Sequence, residues 1–499
     1  MNASAPPPHQ PAVAAVRPTF PTVRAGAGAV AVRVGSLLAL VAALLLLPGF
    51  TDSDALKAVI PLFCVLLYLQ LAPLIWPPRA DIFSPVAFNG LMGSLATTAT
   101  LATFLTANDV EIGALIRGLA PSEAQALAEK VLWASILGLG CFYVGYYARF
   151  GIPTKRWFPD VARLEWNPGR LRLLSGLALI IFIVAYGSFQ SRLGVSLSDL
   201  TQLGAGKAVW RDDPRLSWIL RGVQFCFLPV LFYITWGASR RGKAPLIASA
   251  LLLVVASALV ARMGQRGMFM YVFLCVLVLV HYLRVRIPVA VFAGLLFSAI
   301  VLSNLLYEVR TQVRTGDATL RTRASNPVAA LVSHESERLR FSANALILRE
   351  FPDHHPYLLG ESWLGMLAAP IPRWVWPAKV EHFAWRDTRI VDKLGGGPIP
   401  ASFLGTLYAN FSWIGIILGM VVWGAVQRGM YEWLLEHPSD KSTVLLYTVL
   451  LIFFGPTLLQ LSSTMQYVIP IWLGLRFIGT RMPPGAERTP GLAPTPAPG

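Results

Sequence analysis

Charged residues are scarce in this chain. Only 14% of its 499 residues are Asp, Glu, Lys or Arg, 55% are hydrophobic, and the mean hydropathy is +0.57. Soluble domains average about 25% charged residues, so this composition excludes a single large soluble core. Repeated apolar runs of spanning length are instead typical of an all-α polytopic membrane protein.

Cysteine and cofactor motifs are also lacking. The four cysteines each lie inside a long apolar run, which favours buried thiols over a disulfide framework or a zinc site: Cys64, Cys141, Cys226 and Cys275. The chain has no P-loop, no GxGxxG at a strand–helix junction and no HExxH, so we expect neither a cofactor nor a metal. Its net charge of +16 is scattered over loops, without the basic block typical of nucleic-acid binding.

Twelve apolar segments approach the length of about 20 residues that a membrane span needs. They lie near 33–48, 56–76, 84–107, 131–149, 171–190, 217–237, 244–262, 267–283, 287–306, 401–425, 442–460 and 465–479. The chain then divides into a disordered N-terminal segment at 1–29, a membrane domain at 30–306, a large loop at 307–400, a second membrane domain at 401–480 and a disordered tail at 481–499.

The distribution of Lys and Arg over the short loops predicts that both termini are cytoplasmic. One set of loops is basic, as in Arg149, Lys155, Arg156, Arg163 and Arg170, whereas loop 49–55 on the opposite side has no basic residue and two aspartates. The large loop at 307–400 is then external. It is rich in arginine, but long loops cross membranes regardless of charge. A connection of this length is usually functional.

Asp353, His354 and His355 form the densest group of proton acceptors in the chain. Imidazole side chains exchange protons near neutral pH, which suits a general base. The neighbouring Pro352 and Pro356 equally favour a simple turn. The sequence is therefore compatible with two interpretations: one of these three residues is a catalytic base, or the segment is a purely structural turn.

Basic side chains of the predicted external face are candidates for binding an anion: Arg221, Arg262, Arg266, Arg338, Arg340, Arg349, Arg373 and Lys379. Arg262 and Arg266 bracket the short turn ARMGQRG, and a helix predicted over 327–351 carries Arg338 and Arg340. Because planar guanidinium groups bind phosphate oxygens in pairs, the set suggests a phosphate or pyrophosphate site. Snorkelling towards the membrane surface and ion pairs on a solvated helix face are the alternative explanations.

The stretch PIPRWVWPAK, at 370–379, combines three prolines with two tryptophans, Arg373 and Lys379. Its prolines exclude a regular helix facing lipid, because such a backbone would lack hydrogen-bond partners. Trp374 and Trp376 suit the headgroup layer of a membrane. We therefore expect a stiff external segment that holds Arg373 and Lys379 at the depth of lipid headgroups.

This stretch, together with PIPASFLGTLYANFSWIGIILGM at 398–420, resembles the C-terminal signature of bacterial oligosaccharide repeat-unit polymerases, the Wzy-type O-antigen polymerases. The matching positions are Pro372-Arg373, Trp376-Pro377, Lys379, Gly405, Leu407-Tyr408, Asn410-Phe411 and Gly415. Two further features resemble this family: the Arg-Gly of GQRG at 264–267, and the ten residues that separate Arg349 from Gly360. The resemblance is strongest over 260–425, and Thr406 and Ser412 depart from the pattern.

The resemblance implies a metal-independent glycosyltransferase of GT-C-like architecture at the outer face of the bacterial inner membrane. Such an enzyme would join repeat units carried on undecaprenyl pyrophosphate and release undecaprenyl pyrophosphate. Its partners would be these lipid-linked glycans, the membrane lipid, and a chain-length regulator and a flippase of the same pathway. Arginines can stabilise the charge that develops on such a leaving group. An O-antigen ligase, a flippase of lipid-linked glycans and a non-catalytic subunit of a polysaccharide machine are the alternatives.

Overall fold

A computed structural model of the chain describes residues 27–50, 54–77, 81–106, 121–193, 222–240, 247, 249–256, 266–296, 298–299, 335–368, 375–376, 402–454 and 461–481. This part is predominantly helical. The helices are α1 (Ala27–Leu46), α2 (Asp54–Ile75), α3 (Pro85–Thr106), α4 (Pro121–Tyr147), α5 (Pro168–Leu193), α6 (Phe227–Arg240), α7 (Arg266–Leu283), α8 (Glu335–Glu350), α9 (Glu361–Ala368), α10 (Phe403–Glu436), α11 (Lys441–Phe454) and α12 (Leu461–Ile478).

Shorter elements connect these helices. There are 3₁₀ helices at Leu47–Phe50, Arg149–Trp157 and Gln224–Cys226, and residues 249–256 and 289–296 are also helical. Strands β1 (Leu164–Trp166) and β2 (Gly479–Arg481) pair antiparallel. The helix predicted over 327–351 is present as α8 from Glu335 onwards, while 327–334 lie outside the described residues.

Several helices begin where local sequence favours a start. α3, α4 and α5 have proline as their first residue, a position where the missing amide hydrogen costs nothing. Asn167 precedes α5, and its Oδ1 accepts hydrogen bonds from the amides of Gly169 (2.8 Å) and Arg170 (3.2 Å). Asp440 caps α11 in the same way, with 2.8 Å between its Oδ2 and the amide nitrogen of Thr443.

The structure supports an all-helical membrane protein. In the described residues, five helices are long and apolar enough to cross a membrane: Val30–Gly49, Lys57–Ile75, Ser122–Tyr147, Pro168–Ser188 and Phe403–Glu436. Shorter apolar helices lie at Gln224–Ser239, Met270–Leu283, Lys441–Phe454 and Tyr467–Ile478. Large apolar side chains such as Leu45, Ile180 and Leu418 point outwards, as expected for a surface in contact with lipid. Twelve spans and a GT-C-like arrangement stay predictions.

The buried apolar side chains form two clusters. The first joins α2, α3, α4 and α8 to the beginning of α10, through residues such as Phe63, Leu346 and Leu407. The second joins α5, α6, α7, α11 and α12 to the end of α10, through residues such as Phe232 and Tyr431. α10 therefore links the two halves of the molecule.

α10 packs most extensively against α4, and glycines allow the two helix backbones to approach each other closely. A Cβ atom added at Gly424 would lie 2.2 Å from the carbonyl oxygen of Phe142, and one at Gly145 would lie 1.9 Å from that of Val421. The two backbones thus touch directly, which is the packing that small residues permit between membrane helices.

Three segments that are predicted to be cytoplasmic, at 149–167, 436–441 and 479–481, contact one another at one end of the bundle, which we call the β end. There the 3₁₀ helix Arg149–Trp157 packs on α10, and Lys155 pairs with Glu436. The amide of Arg163 donates to Asp440 Oδ1 (3.1 Å), and β1 pairs with β2 in the register Glu165 to Thr480. Which side of the membrane the β end faces stays a prediction.

The chain of α10 reverses direction at Phe411 and Ser412, where the backbone angles leave the helical region. The rings of Phe403 and Trp423 lie 5.5 Å apart, whereas a straight helix would separate these positions by about 30 Å. A Cβ atom at Gly415 would lie 2.3 Å from the carbonyl oxygen of Leu407, so glycine permits the close return. Residues 403–410 therefore form a short helix folded back on the longer one, an arrangement that the predicted span at 401–425 did not anticipate.

Candidate functional site

The predicted proton acceptors lie in a turn between α8 and α9, at the end of the bundle opposite to the β end. Residues 351–354 form a hydrogen-bonded turn, as the prolines predicted. The amides of His354 and His355 both donate to the carbonyl oxygen of Glu350, at 2.9 and 3.1 Å. The structure therefore places the two histidines side by side at the C-terminus of α8.

A buried carboxylate stands behind these histidines. The side chain of Glu350 is only 2% exposed, and its Oε2 lies 3.7 Å from His354 Nδ1 and 3.9 Å from His355 Nε2. The side chain of His354 is 59% exposed and that of His355 33%. Asp353 is exposed beside them. We call Glu350 and residues 351–360 the Glu350 turn.

Asn410 fixes the far side of the Glu350 turn to the short helix of α10. The amides of Leu358 and Leu359 donate to the carbonyl oxygens of Ala409 (3.0 Å) and Asn410 (3.2 Å), and that of Gly360 donates to Asn410 Oδ1 (2.9 Å). Asn410 Nδ2 donates to Ser362 Oγ and to the carbonyl oxygen of Thr406, both at 2.7 Å. Asn410 is completely buried, so these bonds form a protected platform beneath the turn.

Lys130 of α4 supports the other side of the turn. Its Nζ donates to the carbonyl oxygen of Leu348 (2.8 Å), in the last turn of α8, and lies 5.5 Å from the centre of the Tyr408 ring. A cation at this place satisfies a helix C-terminus. The hydroxyl of Tyr408 donates to the carbonyl oxygen of Phe351 (3.4 Å), which ties α10 to the start of the turn.

The predicted arginines are only partly within the described residues. Arg349 is half-buried, one residue before Glu350. The structure describes the backbone of Arg266, at the first residue of α7, and of Arg338 and Arg340 in α8. The remaining basic candidates lie outside the described residues: Arg221, Arg262, Arg373 and Lys379. Of PIPRWVWPAK, Val375 and Trp376 are described, and both are exposed.

A second polar cluster, which no sequence pattern indicated, is centred on Asp81 near the β end. Asp81 Oδ2 accepts hydrogen bonds from the hydroxyls of Tyr282 and Tyr431, both at 2.7 Å, and Oδ1 accepts from the amide of Phe83 at 3.0 Å. His281 Nε2 lies 3.6 Å from Oδ1, while its Nδ1 accepts from the amide of Ile287 at 3.0 Å. We call these residues the Asp81 cluster.

Sequence signals for the missed residues differ. Glu350 follows four mostly apolar positions of a predicted helix and precedes the two histidines closely, so helix periodicity could have found it. Asp81 is 350 positions from Tyr431, and no local pattern connects them.

No protein-family model, curated protein or solved structure matches this chain. Among the described residues, no group of three or more His, Cys, Asp and Glu side chains is placed to hold a metal ion. The motifs of the sequence and the Glu350 turn are therefore the features that indicate a function.

Proposed function

We propose that this protein is a membrane glycosyltransferase that polymerises oligosaccharide repeat units carried on undecaprenyl pyrophosphate, at the outer face of the bacterial inner membrane. The observation that carries the proposal is the Glu350 turn, in which the exposed His354 and the half-buried His355 adjoin a buried carboxylate on a hydrogen-bonded platform. The platform contains Tyr408 and Asn410, which are motif positions in the resemblance to repeat-unit polymerases.

The reaction is a displacement at an anomeric carbon. A hydroxyl oxygen of the acceptor repeat unit forms a bond to the anomeric carbon of the donor glycan, and the bond from that carbon to the pyrophosphate oxygen breaks. The hydroxyl proton passes to an imidazole of His354 or His355, or to Asp353, and undecaprenyl pyrophosphate leaves with the bonding electrons. This transfer needs no metal in the proposed mechanism.

Basic side chains stabilise the leaving group. Negative charge develops on the pyrophosphate oxygens, and fixed guanidinium groups in a site with little water stabilise it without reorganisation. Arg262, Arg266 and Arg373 are the first candidates for this role, followed by Arg338, Arg340, Lys379, Arg221 and Arg349. Trp374 and Trp376 would keep the neighbouring segment at headgroup depth.

Deletion of the gene, with complementation by variants, tests the proposal. The deletion strain should carry surface glycan with single repeat units only, and the wild-type gene should restore long chains. Arg266→Ala and Arg373→Ala should fail to restore them. Arg156→Ala is the matched control, because Arg156 is exposed at the β end, and it should restore full polymer.

Other outcomes favour the alternatives. Long chains made by both arginine variants would refute the assignment of the pyrophosphate site. Loss of every repeat unit from the outer face would indicate a flippase. Long chains that accumulate on the carrier lipid in the deletion strain, without transfer to lipid A core, would indicate an O-antigen ligase. The same purified protein given only lipid-linked repeat units separates polymerase from ligase, because a ligase requires the other acceptor.

A further inference from the structure

Glu350 distinguishes between the two histidines of the turn by the ring nitrogen that each presents to it. His354 turns its Nδ1 towards Oε2 of Glu350 (3.7 Å), so its Nε2 is on the far side of the ring, in a side chain that is 59% exposed. His355 turns its Nε2 towards the same oxygen (3.9 Å) and is two-thirds covered. Its ring lies 5.7 Å from that of Phe351. Only His354 combines a carboxylate behind the ring with an accessible nitrogen in front.

The position of Glu350 is set by the core. Leu346, Ile347 and Leu348 on the same helical turn are buried in the first apolar cluster, and Phe351 is buried directly after Glu350. Lys130 holds the carbonyl oxygen of Leu348 from α4. The carboxylate therefore cannot follow the exposed histidines away from the bundle; His354 must orient itself to Glu350.

We propose that Glu350 is the positioning residue that makes His354 the proton acceptor, with Nε2 directed at the acceptor hydroxyl. An N–H at Nδ1 directed at a carboxylate fixes the tautomer with an unprotonated Nε2. The carboxylate then stabilises the imidazolium that forms when the hydroxyl proton arrives. The 3.7 Å separation is longer than a hydrogen bond, and the proposal requires that it shortens when substrate binds, as catalytic hydrogen bonds often do. The catalytic part of this proposal rests on the proposed function; the positioning of His354 does not.

Labelling with diethyl pyrocarbonate, which acylates unprotonated imidazole nitrogen, tests the positioning without any substrate. The purified full-length protein in lipid nanodiscs is labelled for increasing times, and peptide mass spectrometry gives a rate for each histidine. We expect His354 to react faster than His355 in the wild type. In Glu350→Gln, the rate at His354 should fall several-fold, because the neutral amide no longer raises the nucleophilicity of Nε2. Glu361→Gln changes an exposed carboxylate at the start of α9 and should leave both rates unchanged.

Kinetics with a lipid-linked repeat unit test the catalytic part. Glu350→Gln should lower kcat by about 100-fold with little change in KM, because orientation of a general base acts on the chemical step. Glu350→Asp keeps the carboxylate at a greater distance and should recover part of kcat.

The outcomes separate the two proposals. Faster labelling of both histidines in Glu350→Gln would show a loosened turn and would overturn the positioning role, and so would an unchanged labelling rate at His354. Slower labelling of His354 in a protein that makes no polymer from lipid-linked repeat units would leave the positioning intact and refute the polymerase.

Discussion

Within the part of the chain that the structure describes, a buried carboxylate lies beside a histidine near each end of the bundle. In the Asp81 cluster, both the carboxylate and the histidine are enclosed: Asp81 is 2% exposed at its side chain and His281 5%. In the Glu350 turn the carboxylate is equally buried, but His354 is largely exposed. The same pair of residue types therefore occurs in two opposite environments.

The two regions differ in whether a ring nitrogen of the histidine remains accessible to a substrate. Asp81 accepts from two tyrosine hydroxyls and an amide, and both ring nitrogens of His281 are directed at protein groups. This enclosed network ties α7 and α10 to the segment just before α3 through the three hydrogen bonds that Asp81 accepts. His354 has one nitrogen directed at Glu350 and the other in an exposed side chain. A carboxylate–histidine pair indicates chemistry only when one of its nitrogens can reach a substrate.

Replacement of the two carboxylates should give the largest contrast. Asp81→Ala leaves two buried tyrosine hydroxyls and the amide of Phe83 without their acceptor, so we expect a loss of about 3 kcal/mol in the free energy of unfolding. Asp81→Asn keeps one acceptor oxygen and should lose less. Denaturant titration in detergent micelles, followed by tryptophan fluorescence, measures both. A loss of the same size in Glu350→Ala would remove the distinction between the two regions.

Asn410→Ala tests whether the Glu350 turn depends on its platform. The amide of Gly360 and the hydroxyl of Ser362 would lose their partner, at a cost of about 2 kcal/mol. Limited proteolysis should then cut residues 351–360 faster, and polymer formation should fall. Ser362→Ala removes only one of these partners and should show the smaller effect. Proteolysis at the wild-type rate would mean that apolar packing alone holds the turn.

Replacement by phenylalanine should lower stability at His281 and abolish activity at His354. His281→Phe removes the acceptor for the amide of Ile287, so we expect a loss of about 1–2 kcal/mol in the free energy of unfolding. His354→Phe changes an exposed side chain, and its effect on that free energy should stay within about 0.5 kcal/mol. Polymer formation should be abolished in His354→Phe. A stable, active His354→Phe protein would contradict the chemical role of the turn.

Ser412→Gly should have a small effect on the free energy of unfolding, and the sign of this effect should be opposite to that of the losses above. Ser412 has φ 58° and ψ −150°, a combination that only glycine adopts without strain. Removal of the Cβ atom should raise the free energy of unfolding by about 1 kcal/mol. Ser412→Ala retains the Cβ atom and should not show the gain, which makes it the matched control. Equal stability of all three proteins would mean that the reversal is unstrained.

Much of the helical architecture follows from the sequence. Apolar runs predicted the all-helical class, and the helix predicted over 327–351 is present as α8 from Glu335 onwards. Cys64, Cys226 and Cys275 are free and buried and Cys141 is partly buried, in line with their apolar surroundings. The prolines around Asp353 correctly predicted a turn. These features depend on neighbours in the chain, which a single sequence displays.

The remaining features depend on partners that are distant in the chain. The reversal at Phe411 and Ser412 lies within a mostly apolar run, and neither of these two residues is a glycine or a proline. Only the departure at Ser412 from the polymerase pattern, where glycine is usual, pointed to an unusual backbone. Asp81 gives no local signal either, because its donors are 201 and 350 positions away.

The pairing of β1 with β2 has a consequence for biosynthesis. The hydroxyl of Thr480 donates to the carbonyl oxygen of Glu165, 315 positions earlier. At translation rates of 5–20 residues per second, a ribosome needs roughly 15–60 s to make the intervening chain. For that interval the backbone of β1 must be satisfied by water. A stalled ribosome in this interval would leave a bundle whose β end has not closed, so pulse-chase protease protection of the 149–167 region would time the last step of assembly.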